Sequence, residues 1–233
     1  MRSSSNSKNA GFSLLEMAIV LMILGILGGV GIPLLKARLR STGLTKTREN
    51  QEYALDAIAA FVTHHRRFPC PADPKAIGDA YGVEPKERKC QGVKAEGILP
   101  FRTLGISERF AKDGFKHFMT YVVDPNLADK DYENKTHLAP GGRLVVQTDQ
   151  GLPALAPQAA QFPDFIALVL ISHGERGVGA FIGNGRPGKI KGAGLSPHKI
   201  ENFDTNFVFV DGGDTDDILR WETRNNFLKH YVR

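Results

Sequence analysis

An uncharged stretch near the N-terminus constrains this chain more than any other feature. Residues 17–35 contain no charged side chain, and the wider apolar stretch 12–35 has 24 residues. As an α-helix it would measure about 36 Å, at about 1.5 Å per residue, which is enough to cross a bilayer core of about 30 Å. A secretory signal peptide has a shorter apolar region and a small-residue cleavage site, whereas this stretch runs into the basic segment KARLR. The sequence therefore predicts a membrane-spanning helix.

The remainder of the chain has the composition of a globular domain. Of the 233 residues, 42% are hydrophobic and 24% are charged, which argues against a disordered, collagen-like or coiled-coil chain. Two cysteines are too few for a disulfide-dense miniprotein, and a net charge of +5 is below the excess of a nucleic-acid-binding protein. About 165 residues follow the apolar helix and its amphipathic continuation, enough for one domain with its own core.

One acidic residue, Glu16, lies inside the apolar stretch. An ionised carboxylate in hydrocarbon costs several kcal/mol unless it is paired, so intramembrane acids mark functional sites. No cation of this chain reaches Glu16 by helical spacing, because positions 12, 13, 19 and 20 are uncharged. If the chain were cut after Gly11, the new amino group of a neighbouring copy would supply the partner.

The segment GFSLLEM at residues 11–17 resembles the prepilin peptidase motif of type IV pilins and type II secretion pseudopilins. In that family the peptidase cuts after the glycine and methylates the new N-terminal phenylalanine. The resemblance implies cleavage between Gly11 and Phe12, N-methylation of Phe12, and a role in assembly for Glu16, the fifth mature residue. The implied partners are prepilin peptidase, other pilin or pseudopilin subunits, and the inner membrane.

A weak point in the long helix is predicted near Pro33. Four glycines precede this proline within nine residues, and each glycine costs a helix about 1 kcal/mol while a proline costs about 3 kcal/mol. Pro33 falls where many members of the family have a helix-weakening proline. The resemblance implies a segment that stretches or melts when subunits pack in a filament.

An amphipathic pattern follows the basic segment. Apolar side chains recur every three or four residues from Ala54 to His65, and Pro69 and Pro71 cannot continue a helix. One helix is therefore predicted over residues 12–66. Segments rich in Val, Ile and Phe and bounded by Gly, Pro and Asp predict strands at 116–123, 143–148, 165–172 and 206–210, and a final segment at 218–232 that begins as a strand and ends helical.

The predicted fold class is α+β, and the resemblance implies a long spine helix packed on a mainly antiparallel β-sheet head. The organisation is then a leader at 1–11, a spine helix at 12–66 with 12–35 in the membrane, and a globular head at 67–233. The family keeps such heads in the bacterial periplasm until assembly. A count of cations opposes this topology, because two precede the span and five follow it closely. The motif is the more specific signal, so we expect a periplasmic head.

In a periplasmic domain Cys70 and Cys90 would most simply form a disulfide, worth about 3 kcal/mol. The alternative is a zinc site that adds His64 and His65. Adjacent histidines project about 100° apart on a helix, which suits joint ligation poorly. The disulfide is therefore the favoured prediction.

An acidic loop near the C-terminus is a candidate calcium site, because its carboxylates lie on a glycine-flexed segment. It does not match the EF-hand spacing, and it lacks the distal glutamate. Resemblance to major pseudopilins, which bind calcium in a C-terminal loop, supports the site. The alternative is a solvated acidic turn in which an aspartate caps the next element. The candidate ligands are Asp211, Asp214, Asp216 and Asp217.

Two further motifs are predicted to carry no chemistry. The segment GNGRPGKI at 183–190 lacks the Ser or Thr of a phosphate-binding loop, and Pro187 removes an amide donor. We expect a solvated loop over 183–199 without specific nucleic-acid binding. The segment SHGE at 172–175 lacks a nucleophile elbow and is predicted to be a turn. The sequence does not indicate an enzyme.

The predicted function is a structural pilin-like subunit that is assembled through its N-terminal helix. A bulky head favours a minor pseudopilin at the tip or in priming. The same spine would serve a type II secretion pseudopilus or a type IV pilus for adhesion, motility or DNA uptake, and the sequence does not choose between them. The rival from another class is a membrane-anchored periplasmic binding or adhesion protein that never polymerises. Glu16 argues against that rival, because such an anchor has no use for a carboxylate in the bilayer.

Overall fold

The first element is a helix of 52 residues, α1 (Leu14–His65). Ser13 caps its start, because its Oγ accepts a hydrogen bond from the Leu15 amide at 3.2 Å. The helix ends where Arg66 adopts a left-handed φ of 54°, just before the prolines that cannot continue it. The predicted long N-terminal helix is confirmed.

The computed structural model describes residues 13–86, 90, 95–128, 144–148, 150–153, 165–191, 208–212 and 216–231. Internal contacts divide the chain into two units, Met1–Ser41 and Thr42–Arg233. The second unit contains all the described strands. Beyond α1, its described residues also form two short α-helices, α2 (Pro125–Ala128) and α3 (Arg224–His230).

The described strands are β1 (Glu96–Ile98), β2 (Thr120–Val123), β3 (Val145–Thr148), β4 (Ile166–Ser172), β5 (Phe181–Gly183), β6 (Arg186–Lys189), β7 (Val208–Asp211) and β8 (Ile218–Thr223). Four of them form the main sheet in the order β1-β2-β4-β8, and every neighbouring pair is antiparallel. Two smaller pairs accompany it: an antiparallel hairpin, β5–β6, and a parallel pair, β3–β7.

Both faces of the main sheet are covered, which is why all seven residues of β4 are buried. Successive side chains of a strand point to opposite faces. On one face Leu168 and Leu170 belong to a hydrophobic cluster that includes Leu55 and Ile58 of α1. On the other face Val169 clusters with residues of the β3–β7 pair. The result is the α+β layout expected for a pilin-like fold.

A tight turn joins the sheet to the helix within the second unit. The Gly114 amide donates to Thr47 Oγ1 at 3.0 Å, and that hydroxyl donates to the Gly43 carbonyl at 2.9 Å. A Cβ on Gly114 would lie 2.0 Å from the Gly43 carbonyl oxygen, and one on Gly43 would lie 2.4 Å from the Phe115 ring. Glycine is therefore required at position 114, because a side chain there would push the turn away from the helix backbone, whereas a side chain at position 43 would displace the Phe115 ring.

The predicted strands agree with β3, β4 and β7, and the final segment does begin as a strand and end as a helix, α3. The first predicted strand, 116–123, is shorter, since β2 covers its last four residues. The predicted solvated loop at 183–199 is wrong for its first part, which forms most of the β5–β6 hairpin. Asn184 and Gly185 take positive φ values of 50° and 77° at the hairpin tip, which suits a tight two-residue turn. Residues 192–200 lie outside the described part of the chain.

We expect Thr47→Val to lower the free energy of unfolding by about 1–3 kcal/mol, because it leaves the Gly114 amide without its acceptor. Thr63→Val is the matched control, since the Thr63 hydroxyl also donates to the carbonyl four residues earlier, at 2.9 Å, but its side chain is exposed. Urea unfolding followed by the fluorescence of Trp221, the single tryptophan, measures both variants. Equal destabilisation by the two variants would contradict the role assigned to the turn.

Candidate functional site

The candidate site begins at the first described residues. Gly11 and Phe12, the predicted cleavage pair, lie outside them. Glu16 is the third residue of α1 and is exposed in its first turn. Unpaired amide groups make the N-terminus of a helix partially positive, so this turn favours a carboxylate. Ser13 and Glu16 also have the spacing of a capping box. Local helix chemistry thus accommodates the carboxylate of Glu16 in the first turn of α1.

The helix around Glu16 presents an apolar surface that the chain leaves uncovered. An 18-residue window of α1 has a mean hydropathy of 2.5, and none of its residues is buried within the protein. The helix is therefore long and apolar enough to cross a membrane. Exposures of its large hydrophobic side chains run from 43% to 92% between Leu14 and Leu39. A soluble monomer rarely exposes such an apolar surface. It therefore fits a surface covered by lipid or by other helices.

The predicted weak point lies in this same surface. A Cβ added at Gly25 or at Gly29 would meet no atom within 4 Å, so packing within the chain does not require glycine at either position. The helix is continuous through Pro33. Gly25, Gly29 and Pro33 destabilise the helix, and packing within the chain does not explain the two glycines. Contacts with other molecules would explain why these residues are present. The predicted melting concerns the filament and stays a prediction.

Comparison with known proteins matches residues 6–32 to a family model described as the prokaryotic N-terminal methylation motif. The match includes the predicted cleavage pair and Glu16. This chain has the N-terminal segment of type IV pilins and pseudopilins. No curated protein and no solved structure matches the chain. The motif implies processing by prepilin peptidase and assembly with other pilin-type subunits.

The predicted disulfide is confirmed in the globular head. Cys70 and Cys90 are bonded, with their Cα atoms 5.6 Å apart, and both residues are buried. Because both thiols are used, the alternative zinc site with His64 and His65 loses its sulfur ligands. The two histidines are exposed in the last turn of α1.

A buried ion pair, which the sequence analysis missed, holds the segment between α1 and the disulfide. Arg67 donates to the two carboxylate oxygens of Glu84 at 2.6 and 2.9 Å, and the side chains are only 4% and 11% exposed. Glu84 also accepts from the Cys70 amide at 3.2 Å. These residues are 17 positions apart in a region without periodicity, so no sequence pattern points to the pair.

Tyr121 of β2 supports the same segment from the sheet. Its hydroxyl donates to the Pro69 carbonyl at 3.1 Å. Burial, and then the charge of Glu84, raise the pKa of Tyr121 well above its ordinary value. The hydroxyl therefore keeps the proton that it donates.

Each described aspartate of the acidic loop contacts a different side chain. Asp216 forms an ion pair with Arg176 at 2.7 Å, and Asp217 Oδ1 lies 3.7 Å from His173 Nδ1. Trp221 Nε1 donates to Asp211 at 3.4 Å. Burial raises the pKa of Asp216, but the hydrogen bonds from Arg176 outweigh it and hold that pKa below its ordinary value.

The calcium site itself stays a prediction. Asp214 lies outside the described residues. Among the residues that the structure does describe, no three or more His, Cys, Asp or Glu side chains are grouped so as to hold a metal ion.

The SHGE segment joins a buried polar cluster at the end of β4. Ser172 donates to Asp113 Oδ2 at 2.7 Å, and His173 Nε2 lies 2.8 Å from Thr120 Oγ1. Asp113 Oδ1 accepts from the amides of Phe115 and His117 at 2.9 Å each. The cluster connects the turn at 113–115, which is hydrogen-bonded to α1, with β2 and β4. These side chains therefore help to hold the sheet in place on the helix. No sequence pattern points to these tertiary partners.

We expect Glu84→Gln to lower the free energy of unfolding by about 3 kcal/mol, because it leaves the Arg67 charge buried without a counter-ion. Glu49→Gln is the matched control, since Glu49 pairs with Lys46 at 2.9 Å while both side chains are more than half exposed. That change should cost less than about 1 kcal/mol. Urea unfolding under oxidising conditions, followed by Trp221 fluorescence, compares them; similar losses would contradict the structural role of the buried pair.

Proposed function

We propose that this chain is a structural, non-catalytic subunit of a type II secretion pseudopilus or a type IV pilus. It waits as a single-pass protein in the bacterial inner membrane and is cut between Gly11 and Phe12 before assembly. The match of residues 6–32 to the methylation motif carries the proposal, together with the exposed apolar surface that follows Glu16.

Assembly would proceed in two steps for α1. Its apolar surface moves from lipid to the helices of neighbouring subunits, and both environments keep it from water. Glu16 of an incoming subunit then pairs with the Phe12 amino group of a packed neighbour. In a medium of low dielectric either charge left alone costs several kcal/mol, so the pair favours the correctly seated subunit.

A periplasmic head is supported by the Cys70–Cys90 disulfide, because disulfides persist in oxidising compartments and are rare in the cytoplasm. This chemistry weighs against the count of cations around the span. The head also favours a minor pseudopilin, since about 165 residues beside the helix would crowd a filament made of this subunit alone. Tip or priming positions relieve that crowding.

The rival function is a membrane-anchored binding or adhesion protein that does not polymerise. It accounts for the apolar helix and for the head equally well. It does not account for Glu16, because an unpaired carboxylate in the bilayer destabilises the inserted helix and has no function in a protein that does not polymerise. A pilus for adhesion or DNA uptake uses the same spine and differs in the partners that accompany it.

We expect Glu16→Ala to reduce incorporation into filaments at least tenfold while leaving cleavage intact, because the Phe12 amine loses its acceptor. Glu16→Gln should be nearly as defective, since an amide does not neutralise the cation. Glu49→Gln, which removes a carboxylate from the same helix outside the apolar stretch, should incorporate normally. Sheared filaments and cross-linked membranes are quantified beside wild type, and mass spectrometry reads the N-terminus.

The two readouts separate the parts of the proposal. A methylated Phe12 in the mature protein is the expected terminus, and an intact Met1 leader in the assembled fraction would contradict the processing step. Normal incorporation of Glu16→Ala would leave the non-polymerising anchor, or a tip position without a subunit above it, as the better account.

A further inference from the structure

The two outer strands of the main sheet differ in what lies along their outer edges. The strand β1 has only three residues, and Ala72 pairs with it from outside. The Ala72 amide donates to the Ile98 carbonyl at 2.9 Å, and the Ile98 amide donates back at 3.1 Å. The strand β8 has six residues, and among the described strands only β4 pairs with it. Such a long edge strand is a template to which another strand can be added.

The backbone and the surroundings of β8 suit an added strand. The Arg224 amide donates to the Phe165 carbonyl, on the β4 side, at 2.9 Å. Because successive residues of a strand turn their backbone groups to opposite sides, those of Leu219 and Trp221 point to the outer edge. Five consecutive residues, 219–223, line one open groove together with Asp211 and Asn226. A groove that follows the edge of a strand has the shape of an extended segment.

The charged side chains of β8 form an incomplete network at this edge. Arg220 and Glu222 lie on the same face of the strand and pair at 2.8 Å, with exposures of 37% and 2%. The Nε atom of Arg220 is buried, and the described part of the chain offers it no hydrogen-bond acceptor. Each carboxylate oxygen of Glu222 can accept more than one hydrogen bond. The network therefore has room for both a further anion and a further cation.

The strand is complementary to a second copy of itself in one register. In an antiparallel pair the outward backbone groups of one strand must meet those of the other, so the register changes only in steps of two residues. Pairing centred on Trp221 places Arg220 opposite Glu222 of the second copy. The two neighbouring registers place Arg220 opposite Arg220 or Glu222 opposite Glu222, and like charges directly opposite destabilise a sheet.

We propose that β8 pairs with β8 of a second copy of this chain, antiparallel and centred on Trp221. The two four-stranded sheets then become one continuous sheet. Two arginines and two glutamates alternate at the corners of a square on one face, and the two Trp221 rings meet on the other, a favourable cross-strand pair. The contact uses the same edge of both copies and closes after two. It is therefore a dimer rather than a filament repeat, and it does not depend on the proposed function.

The register is tested by disulfide cross-linking of the full chain in a mild detergent. Cys70 and Cys90, the two cysteines of the sequence, are bonded to each other, so an introduced cysteine is the single free thiol. In a hydrogen-bonded pair the Cα atoms lie about 5.5 Å apart, within the usual disulfide range of about 4.4–6.8 Å. We therefore expect Trp221→Cys to form a covalent dimer on mild oxidation.

Arg220→Cys is the matched control for the cross-link. Its two copies would be diagonal neighbours about 7–8 Å apart, which is too far for a disulfide without backbone movement. Circular dichroism of each variant reports whether the sheet is intact. If Trp221→Cys loses its sheet, the affinities of the wild type and of Arg220→Gln decide the outcome.

The affinity of the dimer is measured by sedimentation equilibrium in the same detergent. Arg220→Gln should weaken the dimer about fivefold, because it removes two symmetry-related ion pairs from the new strand pairing. Glu52→Gln is the matched control, since Glu52 also pairs with Arg220, at 3.1 Å, but belongs to α1 and not to the edge. That variant should dimerise as the wild type does.

The other outcomes overturn the pairing. A wild-type chain that stays monomeric up to the highest concentration measured excludes the dimer. A dimer in which Arg220→Cys cross-links as efficiently as Trp221→Cys, or in which Arg220→Gln has wild-type affinity, is held by another surface, such as the apolar part of α1. None of these results bears on the incorporation of Glu16→Ala, so failure of the dimer is distinguishable from failure of the pilin-type assembly.

Discussion

The apolar surface of α1 from Leu14 to Leu39 is exposed in the isolated chain, and this constraint governs everything that the N-terminal unit does. Water is excluded as a final environment, because exposing so many large side chains costs far more than a folded domain gains in net stability. Two environments remain, lipid and other apolar helices. A subunit that moves from the first to the second needs a directional signal, since both environments satisfy the apolar side chains equally. In the proposed assembly Glu16 would supply such a signal, because a carboxylate distinguishes a neighbour that offers a cation from one that does not.

The second unit depends on a different constraint. Its main sheet has to be held in one position against the part of α1 that belongs to this unit. Hydrophobic contacts of Leu55 and Ile58 with the sheet supply most of the attraction, but such contacts are non-directional. Hydrogen bonds to Thr47 and the Arg67–Glu84 pair specify where the turn and the exit segment lie. Removing either would leave a buried polar group without a partner, which is why these contacts define position more sharply than the apolar core does.

Local patterns account for the parts of the fold that were predicted correctly. The helix, β3, β4 and β7 have their own periodicity and composition, and the exit from α1 is set by two prolines. The elements that were missed lack such signals. The strand β1 has only three residues, and β6 contains a proline and a glycine that disfavour a strand. The parallel pairing of β3 with β7 joins segments about 60 residues apart, a separation that no local pattern reports.

The sequence by itself determined the apolar helix, the position of its carboxylate, the methylation motif and the two cysteines that pair, because each depends on residue types at short spacing or on a single pairing choice. Only the tertiary structure decided which side chains complete the head. Arg67 meets Glu84 across a proline-rich loop, and Asp113, which begins a turn, meets Ser172 at the end of β4. Asp216 meets Arg176 rather than joining the described aspartates beside it. Those partners are brought together by the packing of the sheet on α1, and packing is a property of the whole unit that spacing along the chain does not encode.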